Sequence, residues 1–306
     1  MRIFPVVRRD VAFAATDGVA LNGTWFEPER AAAQPTIVTV IVCGAGIPAR
    51  FYHRMAQHLA ARGAAVLTFD YRGIGASRAG SLRKVAAGMD VWSLRDIGAA
   101  LALATAAYPT LPRTAVAHSV GTLLLGPAPG AAQLTRCVFL GAHTGYWRDY
   151  HARWRAPLYV VWHGLMPAVT RIVGYFPGRA LRLGEDLPRQ VALDWAGRRR
   201  PALVRTRKDA ERFGPYLQRW SEFHAATLSI SISDDAFAPP PAAARLLAMY
   251  PGISATRETV TPASVGQRRL GHFAFVRRAA GAHFWQRAAD WLMTDASPGV
   301  DQETRR

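Results

Sequence analysis

Residues Thr114-Ala-Val-Ala-His-Ser-Val-Gly-Thr-Leu-Leu-Leu125 join a predicted strand to a predicted helix through a serine. The small and β-branched residues 114–117 are typical of a short buried strand, and the apolar run from Val120 onward is typical of a buried helix. The joint is close to the G-x-S-x-G pattern that places a nucleophilic serine on a sharp turn. We expect this turn to lift the Ser119 hydroxyl above the sheet edge and to direct the Val120 N–H towards an oxyanion.

The serine pattern has an ordinary alternative. Ala117 replaces the first glycine, and a five-residue match this loose also arises by chance where a strand–helix joint buries a serine. A nucleophilic serine needs an imidazole that takes its proton and a carboxylate that orients the imidazole. The catalytic interpretation of Ser119 therefore depends on a suitable histidine and carboxylate elsewhere in the chain.

Strands and helices alternate on both sides of this turn. Residues 10–28 alternate in polarity around Asp17-Gly18 and predict an antiparallel hairpin. Further strands are predicted at 36–43, 65–69, 137–140, 226–233 and 254–261, and helices at 51–62, 90–107, 241–250 and 282–292. This alternation predicts an α/β fold with a mostly parallel central sheet and helices on both faces.

The alternation stops between residues 144 and 223. Aromatic residues at helical spacing dominate this segment, which predicts a helical cap inserted over the sheet. The expected division is a core domain of residues 1–143 and 224–297, a cap of residues 144–223 and a disordered tail of residues 298–306. The apolar stretch 157–173 is short for a membrane span and carries His163 and Arg171, so we expect a packed cap helix and no span.

The composition excludes several classes of protein. Half of the 306 residues are hydrophobic, which excludes a disordered chain. The formal net charge of +17 comes almost wholly from arginines scattered singly, a pattern typical of solvated faces, so we expect no nucleic-acid partner. Cys43 and Cys137 lie in apolar runs and are expected to be buried free thiols. Charged residues follow Met1-Arg-Ile-Phe-Pro5 and leave no signal-peptide core, so we expect a cytoplasmic protein.

A glycine-rich loop offers a competing interpretation. Gly44-Ala-Gly-Ile-Pro-Ala49 follows a predicted strand and fits the G-x-G-x-x-G/A dinucleotide pattern, with Asp70 at a suitable distance for a ribose contact. Against it, Pro48 lacks the N–H that a pyrophosphate needs at a helix entrance, and a hairpin precedes the strand. In a serine hydrolase the same loop supplies a second oxyanion donor, from the N–H of Ala45 or Gly46.

The chain order of a serine triad selects one of the nine histidines. In α/β hydrolases the acid follows the serine and the histidine comes last, each on a loop at the carboxyl end of a strand. His272 follows the last predicted strand, so we predict it to be the base, whereas His283 falls inside the last helix. The other histidines precede or adjoin Ser119, or lie in or beside the cap: His53, His58, His118, His143, His151, His163 and His224.

The candidate acids form an adjacent pair at the end of a predicted strand. Asp234 and Asp235 lie in a loop that Pro239 closes. Asp235 has the D-x-x-x-P spacing and is our choice for the triad, while Asp234 is expected to orient the loop or the next helix. Ser119, Asp235 and His272 then stand in the required order, each at a strand end, which favours catalysis over a plain buried serine.

The chain resembles the α/β-hydrolase superfamily, in particular the bacterial predicted hydrolases of its serine aminopeptidase-like branch. The similar segments extend over nearly the whole chain: Gly46-Ile-Pro48, Phe51-Tyr52, Leu67-Thr-Phe-Asp-Tyr-Arg-Gly-Ile-Gly75, Gly145-Tyr-Trp147, Gly174-Tyr-Phe-Pro-Gly178, Gly184-Glu-Asp-Leu-Pro188 and Leu270-Gly-His-Phe273. The resemblance implies an α/β-hydrolase fold and a triad of Ser119, Asp235 and His272 under a helical cap. Ala117 and Thr122 depart from it, since members usually carry glycine there.

These observations predict a serine hydrolase that acts on an ester, thioester or amide through an acyl-enzyme, without metal or cofactor. Its expected partner is a small molecule with a hydrophobic acyl group, because an aromatic cap provides apolar walls. The residues expected to line the substrate pocket are Ile47, His118, Trp147, Trp162 and Phe237.

Two alternatives with the same fold stay open. An acyltransferase uses the same triad with an alcohol or amine in place of water, and a dry, alcohol-lined pocket favours it. An inactive binding protein would tolerate Ser119→Ala with its ligand affinity intact. The sequence sets no oligomeric state.

Overall fold

The computed structural model describes residues 3–198, 211, 214 and 218–294. Its strands are β1 (Val6–Ala14), β2 (Ala20–Pro28), β3 (Ile37–Val42), β4 (Ala64–Phe69), β5 (Arg113–His118), β6 (Arg136–Leu140), β7 (Tyr175–Phe176), β8 (Leu187–Pro188), β9 (Ala226–Ile232) and β10 (Ala255–Val260). Eight of them form one sheet in the order β1-β2-β4-β3-β5-β6-β9-β10. Pairing is parallel from β4 to β10 and antiparallel at β1 and β2.

Helices alternate with these strands along the chain. They are α1 (His53–Ala60), α2 (Met89–Val91), α3 (Gly98–Ala107), α4 (Gly121–Leu124), α5 (Arg155–Val160), α6 (Met166–Val173), α7 (Arg189–Ala196), α8 (Pro240–Leu247) and α9 (Arg278–Leu292). π-Helical turns at Trp92–Ile97 and Val161–Leu165 continue α2 into α3 and α5 into α6. Every residue of β3 and β4 is buried, so both faces of the central sheet are covered.

The predicted α/β architecture is confirmed in its central part. The central strands begin and end within one residue of their predicted bounds, because continuous apolar runs mark strands that are buried on both faces. The predicted hairpin is formed by β1 and β2, and Gly18 turns it with a φ of +79°. Helix α9 begins four residues earlier than predicted, since its first turn, Arg278-Ala-Ala-Gly281, has no periodic apolar residues.

The segment 144–223 contains the helices α5, α6 and α7, as its helical spacing predicts. It also contains β7 and β8, which pair as a two-residue antiparallel ribbon that the sequence pattern is too short to predict. The division of the chain into a core and a cap stays a prediction. The tail predicted at 298–306 lies outside the described residues.

The predicted state of the cysteines is confirmed, since Cys43 and Cys137 are both buried and free. Burial raises the pKa of each thiol above its usual value, which keeps both sulfurs protonated and unreactive. Over the described ranges, no helix has both the length and the apolar composition needed to cross a bilayer.

Candidate active site

Ser119 lies on a strained turn between β5 and α4. Its φ is +56°, the left-handed conformation that residues other than glycine rarely adopt. The helix that follows approaches β3 closely: a Cβ atom at Gly121 would lie 2.7 Å from the carbonyl oxygen of Val42, so only glycine fits there. The Thr122 hydroxyl donates to the Ser119 carbonyl oxygen at 2.6 Å and closes the turn. This backbone has the geometry expected for a nucleophilic serine.

The structure brings Ser119, His272 and Asp235 together in one hydrogen-bonded chain. Ser119 Oγ lies 2.8 Å from His272 Nε2, and His272 Nδ1 lies 2.7 Å from Asp235 Oδ2. The three residues follow β5, β10 and β9, so each comes from the carboxyl end of a strand. When the ring donates its Nδ1–H to the carboxylate, the lone pair on Nε2 is directed at the serine hydroxyl and can accept its proton.

Asp235 is fully buried at the far end of this chain. Its second carboxylate oxygen accepts the backbone N–H groups of Phe237 at 2.8 Å and Ala238 at 3.0 Å. Burial by itself raises the pKa of Asp235, but the attraction of His272 and these hydrogen bonds outweigh it and hold the pKa below its usual value. Asp235 is therefore an ionised carboxylate suited to hold the imidazole in one tautomer.

The neighbouring Asp234 contacts the loop that carries the histidine. Its carboxylate accepts the backbone N–H groups of Leu270 at 3.1 Å and Gly271 at 2.9 Å. Asp234 therefore orients the loop that precedes His272, which is neither its own loop nor the next helix, the two possibilities that the sequence suggested. Asp235 thus holds the His272 ring, and Asp234 holds the backbone just before His272.

A second histidine, His143, also contacts the serine. His143 Nε2 lies 3.1 Å from Ser119 Oγ, and His143 Nδ1 accepts the N–H of Gly145 at 3.1 Å. Because Nδ1 is an acceptor, the neutral ring carries its proton on Nε2 and donates it to the serine oxygen. Burial, together with the charge of His272, lowers the pKa of His143 to about 3, so the ring is neutral at pH 7.

Sequence reasoning set His143 aside because it lies beside the predicted cap. The residue follows the end of β6 by three positions, and β6 pairs with β5 directly, with Leu140 opposite His118. The carboxyl end of β6 therefore lies beside Ser119. This adjacency, combined with a histidine so close to a strand end, is the signal by which the residue could have been found.

His118 lies beneath the site, and its prediction as a pocket residue is wrong. Its side chain is fully buried, with Nε2 3.2 Å from the His272 carbonyl oxygen and Nδ1 2.7 Å from the Tyr52 hydroxyl. Since a carbonyl only accepts, Nε2–H donates to it, and Nδ1 accepts the tyrosine proton. The Tyr52 oxygen in turn accepts the N–H of Gly44 at 2.9 Å. This chain ties the glycine-rich loop to the backbone of His272.

The glycine-rich loop borders the serine. Ala45 and Gly46 line the same cavity as Ser119, and Val120 follows the serine into α4. Within the described part of the chain, no backbone carbonyl accepts the N–H of Ala45 or of Val120. Both N–H groups are thus available to a ligand. The oxyanion role of Val120, Ala45 and Gly46 stays a prediction, which this availability supports.

An apolar cavity of about 240 Å³ opens at Ser119 and His272. Its large apolar side chains include Ile47, Trp162, Met166, Phe176, Trp195 and Phe237. Three of the predicted pocket residues, Ile47, Trp162 and Phe237, are thus at the cavity wall. Trp147 does not line this cavity, and its ring packs against Tyr159 with ring centroids 4.9 Å apart.

The competing dinucleotide interpretation does not fit the structure. The Asp70 carboxylate accepts the N–H of Ala49 at 2.7 Å and of Ala76 at 2.9 Å, so both of its oxygens are engaged in holding loops. Among the described residues, no group of three or more histidine, cysteine, aspartate or glutamate side chains is arranged so that it could hold a metal ion.

Comparison with known proteins places this site in a wider context. A family model described as serine aminopeptidase, S33, matches residues 33–172, a little under half of the chain. No curated protein matches the sequence. An esterase of Pyrococcus furiosus is 15% identical, with 94% of this chain and 91% of that chain covered and a TM-score of 0.56. The esterase domain of a Rhodothermus marinus protein is 15% identical, with coverages of 94% and 99% and a TM-score of 0.54. A Staphylococcus aureus protein of unknown function is 12% identical, with coverages of 93% and 98% and a TM-score of 0.60.

The strand order and these likenesses show the α/β-hydrolase fold. The match to the serine aminopeptidase model supports a serine hydrolase of this fold. The substrate has to be argued from the site, because structures at such low identity share a fold and not a substrate.

Proposed function

We propose that the protein cleaves an ester, thioester or amide bond through an acyl-enzyme on Ser119. The observation that carries this proposal is the hydrogen-bonded chain from Ser119 through His272 to Asp235, at 2.8 and 2.7 Å, beside an apolar cavity. Such a chain activates a serine hydroxyl as a nucleophile.

In the acylation step, Ser119 Oγ attacks the carbonyl carbon while His272 Nε2 takes the hydroxyl proton. The N–H groups of Val120 and of Ala45 or Gly46 stabilise the charge that develops on the carbonyl oxygen. The bond to the leaving group then breaks, and His272 gives its proton to the departing alcohol, thiol or amine. In deacylation His272 removes a proton from water, the resulting hydroxide attacks the acyl carbon, and the proton returns to Ser119 as the acid leaves.

His143 has a separate role in this proposal. Charge on Ser119 Oγ is greatest when the hydroxyl loses its proton and again when Oγ departs from the acyl carbon. The neutral His143 ring donates Nε2–H to this oxygen from 3.1 Å, and it does not compete with His272 for the proton. His143 is therefore assigned as a catalytic residue that stabilises the serine oxygen in both half-reactions.

The cavity favours a short hydrophobic acyl group. Its volume of about 240 Å³ lies below the range of about 300–1,000 Å³ typical of pockets for larger ligands. Trp162 and Trp195 approach with ring centroids 6.2 Å apart, and Phe237 packs 5.2 Å from the His272 ring, so apolar side chains surround the reacting atoms. An acyl chain of a few carbons, or one aromatic ring, suits such walls.

The test is labelling with a fluorophosphonate probe of wild type, Ser119→Ala, His272→Ala and the control Ser93→Ala. Ser93 is buried but donates to the Leu124 carbonyl oxygen, so its variant should label like wild type. We expect labelling to be lost in Ser119→Ala and strongly slowed in His272→Ala. Absence of labelling in folded wild type would refute the proposal and favour a binding protein.

A series of p-nitrophenyl esters then measures the acyl preference, with the highest kcat/KM expected for short chains. Adding butanol separates hydrolysis from acyl transfer. A hydrolase continues to release mainly the free acid, whereas an acyltransferase releases mainly the butyl ester.

A further inference from the structure

A second groove, of about 570 Å³, runs beside the catalytic cavity. Its charged residues are Arg50, Arg54, Arg179, Arg277 and Arg278, with one carboxylate, Glu185. We name this surface the arginine groove. Lysine and arginine together make up 38 of the 306 residues of the chain, whereas 5 of the 13 groove residues are arginine. The positive charge there is thus far denser than the overall composition would produce.

The arginine groove is continuous with the cavity that contains Ser119. Five residues line both: Gly46, Ile47, Gly184, Glu185 and Phe273. A substrate with its carbonyl carbon at Ser119 therefore meets an apolar cavity on one side and a cationic groove on the other. The apolar space suits the acyl group, so the groove receives the leaving group.

Four of these arginines have no carboxylate partner among the described residues: Arg50, Arg54, Arg277 and Arg278. The fifth, Arg179, is paired with Glu185. By contrast, Arg245 outside the groove binds both carboxylate oxygens of Asp149 through its Nε and Nη2 atoms. The side chains of the four arginines are exposed, so their charge is available to an anion from solvent.

We propose that the arginine groove binds the phosphate groups of the leaving group, so that the substrate is an acyl ester or thioester of a phosphate-bearing alcohol or thiol. Guanidinium groups present paired N–H donors that match phosphate oxygens. Phe51 and Phe273, which are 48% and 41% exposed, add apolar surface for the organic part of the same group. This inference rests on the proposed function, since it names the substrate of the same serine.

The bond changes are those of the acylation step. For a thioester, Ser119 Oγ forms the new C–O bond, the C–S bond breaks, and His272 passes the serine proton to the departing thiolate. Water then releases the carboxylic acid. The phosphates undergo no bond change and serve only to hold the leaving group against the arginines.

Two substrates with the same acyl group and the same thioester bond test the inference. The thiol that leaves from butyryl coenzyme A bears phosphate groups elsewhere in the molecule, whereas the thiol that leaves from the butyryl thioester of N-acetylcysteamine bears none. We expect wild type to have a higher kcat/KM for butyryl coenzyme A, mainly through a lower KM. The preference should shrink as salt is raised, because exposed charges are screened.

The variant Arg277→Gln/Arg278→Gln removes two of the groove charges, and Arg171→Gln/Arg257→Gln is its control. The control arginines are also exposed and lie outside the groove, so both variants change the net charge equally. We expect the groove variant to lose roughly 2- to 30-fold of the preference for the phosphate-bearing thioester, the range expected for two exposed ion pairs. The control should keep the wild-type preference.

A second measurement does not require turnover. Coenzyme A binding to Ser119→Ala by calorimetry should weaken when the two groove arginines are replaced and stay the same with the control pair. Equal kcat/KM for the two thioesters in wild type, or equal coenzyme A affinity in all three proteins, would overturn the inference. Failure of both thioesters to react, with coenzyme A still bound through the groove, would count against the proposed function alone.

Discussion

Replacing His143 by glutamine or by asparagine separates the two hydrogen bonds of its ring. The glutamine amide nitrogen takes the place of Nε2 and can still donate to Ser119 Oγ. The asparagine amide is shorter, so its oxygen can replace Nδ1 and accept the Gly145 N–H, but its nitrogen does not reach the serine. We expect His143→Gln to keep most of the acylation rate and His143→Asn to acylate more slowly than wild type.

The size of the effect follows from the 3.1 Å bond between His143 Nε2 and Ser119 Oγ. A hydrogen bond stabilises a protein by about 0.5–1.5 kcal/mol when both groups are neutral and by about 1.5–3 kcal/mol when one group is charged. Only the difference between the neutral hydroxyl and the charged transition state accelerates the reaction. That difference, about 1–2 kcal/mol, corresponds to a roughly 5- to 30-fold lower rate in His143→Asn.

The assay is burst kinetics with p-nitrophenyl butyrate, which resolves acylation from deacylation. His143→Asn should slow both phases, because Ser119 Oγ carries charge in both. The pH dependence of kcat/KM should keep its acid limb at the wild-type pH in both variants, since His143, with a pKa of about 3, is already neutral there. Thermal unfolding of each variant controls for loss of fold.

Two results would refute this reasoning. Equal rates in wild type and His143→Asn would show that the bond to Ser119 contributes nothing to catalysis. A His143→Gln variant that is slower and less heat-stable than His143→Asn would leave His143 only the structural task of holding Gly145, because asparagine keeps that bond and glutamine does not.

Three further predictions concern the support of the site. His118 and His143 have folded-state pKa values below the unfolded value of about 6.5, mainly because they are buried, so the unfolded state binds more protons and stability is lost as the pH falls through 6.5. Urea unfolding should give a free energy about 2–3 kcal/mol lower at pH 5.5 than at pH 7, and a flat profile would contradict this. Asp234→Ala should lower kcat several-fold and the free energy of unfolding by about 2 kcal/mol, because two backbone N–H groups lose a charged acceptor. Asp234→Asn should recover part of both losses. An alanine variant with the wild-type kcat would count against a positioning role. Tyr52→Phe should cost about 1–3 kcal/mol in urea unfolding by leaving the Gly44 N–H and His118 Nδ1 without partners, and unchanged stability would mean that other groups replace the hydroxyl.

Local pattern in the sequence determined the strands, the central helices and the turn at Ser119. These features depend on residues that are close in the chain: apolar runs for β3 and β4, and small residues at 117 and 121 that let a strand and a helix meet. Chain order and strand ends were then enough to choose His272 and Asp235, which the structure brings into one hydrogen-bonded chain with the serine.

Only the tertiary structure decided which strand ends meet. His143 reaches Ser119 because β6 lies next to β5, and no local pattern specifies that adjacency. His118, beside the serine in sequence, is directed into the core instead of the cavity, since consecutive residues at a strand end point to opposite faces. The arginine groove likewise unites residues near 50, 179 and 277, whose charges are isolated along the chain and adjacent only after folding.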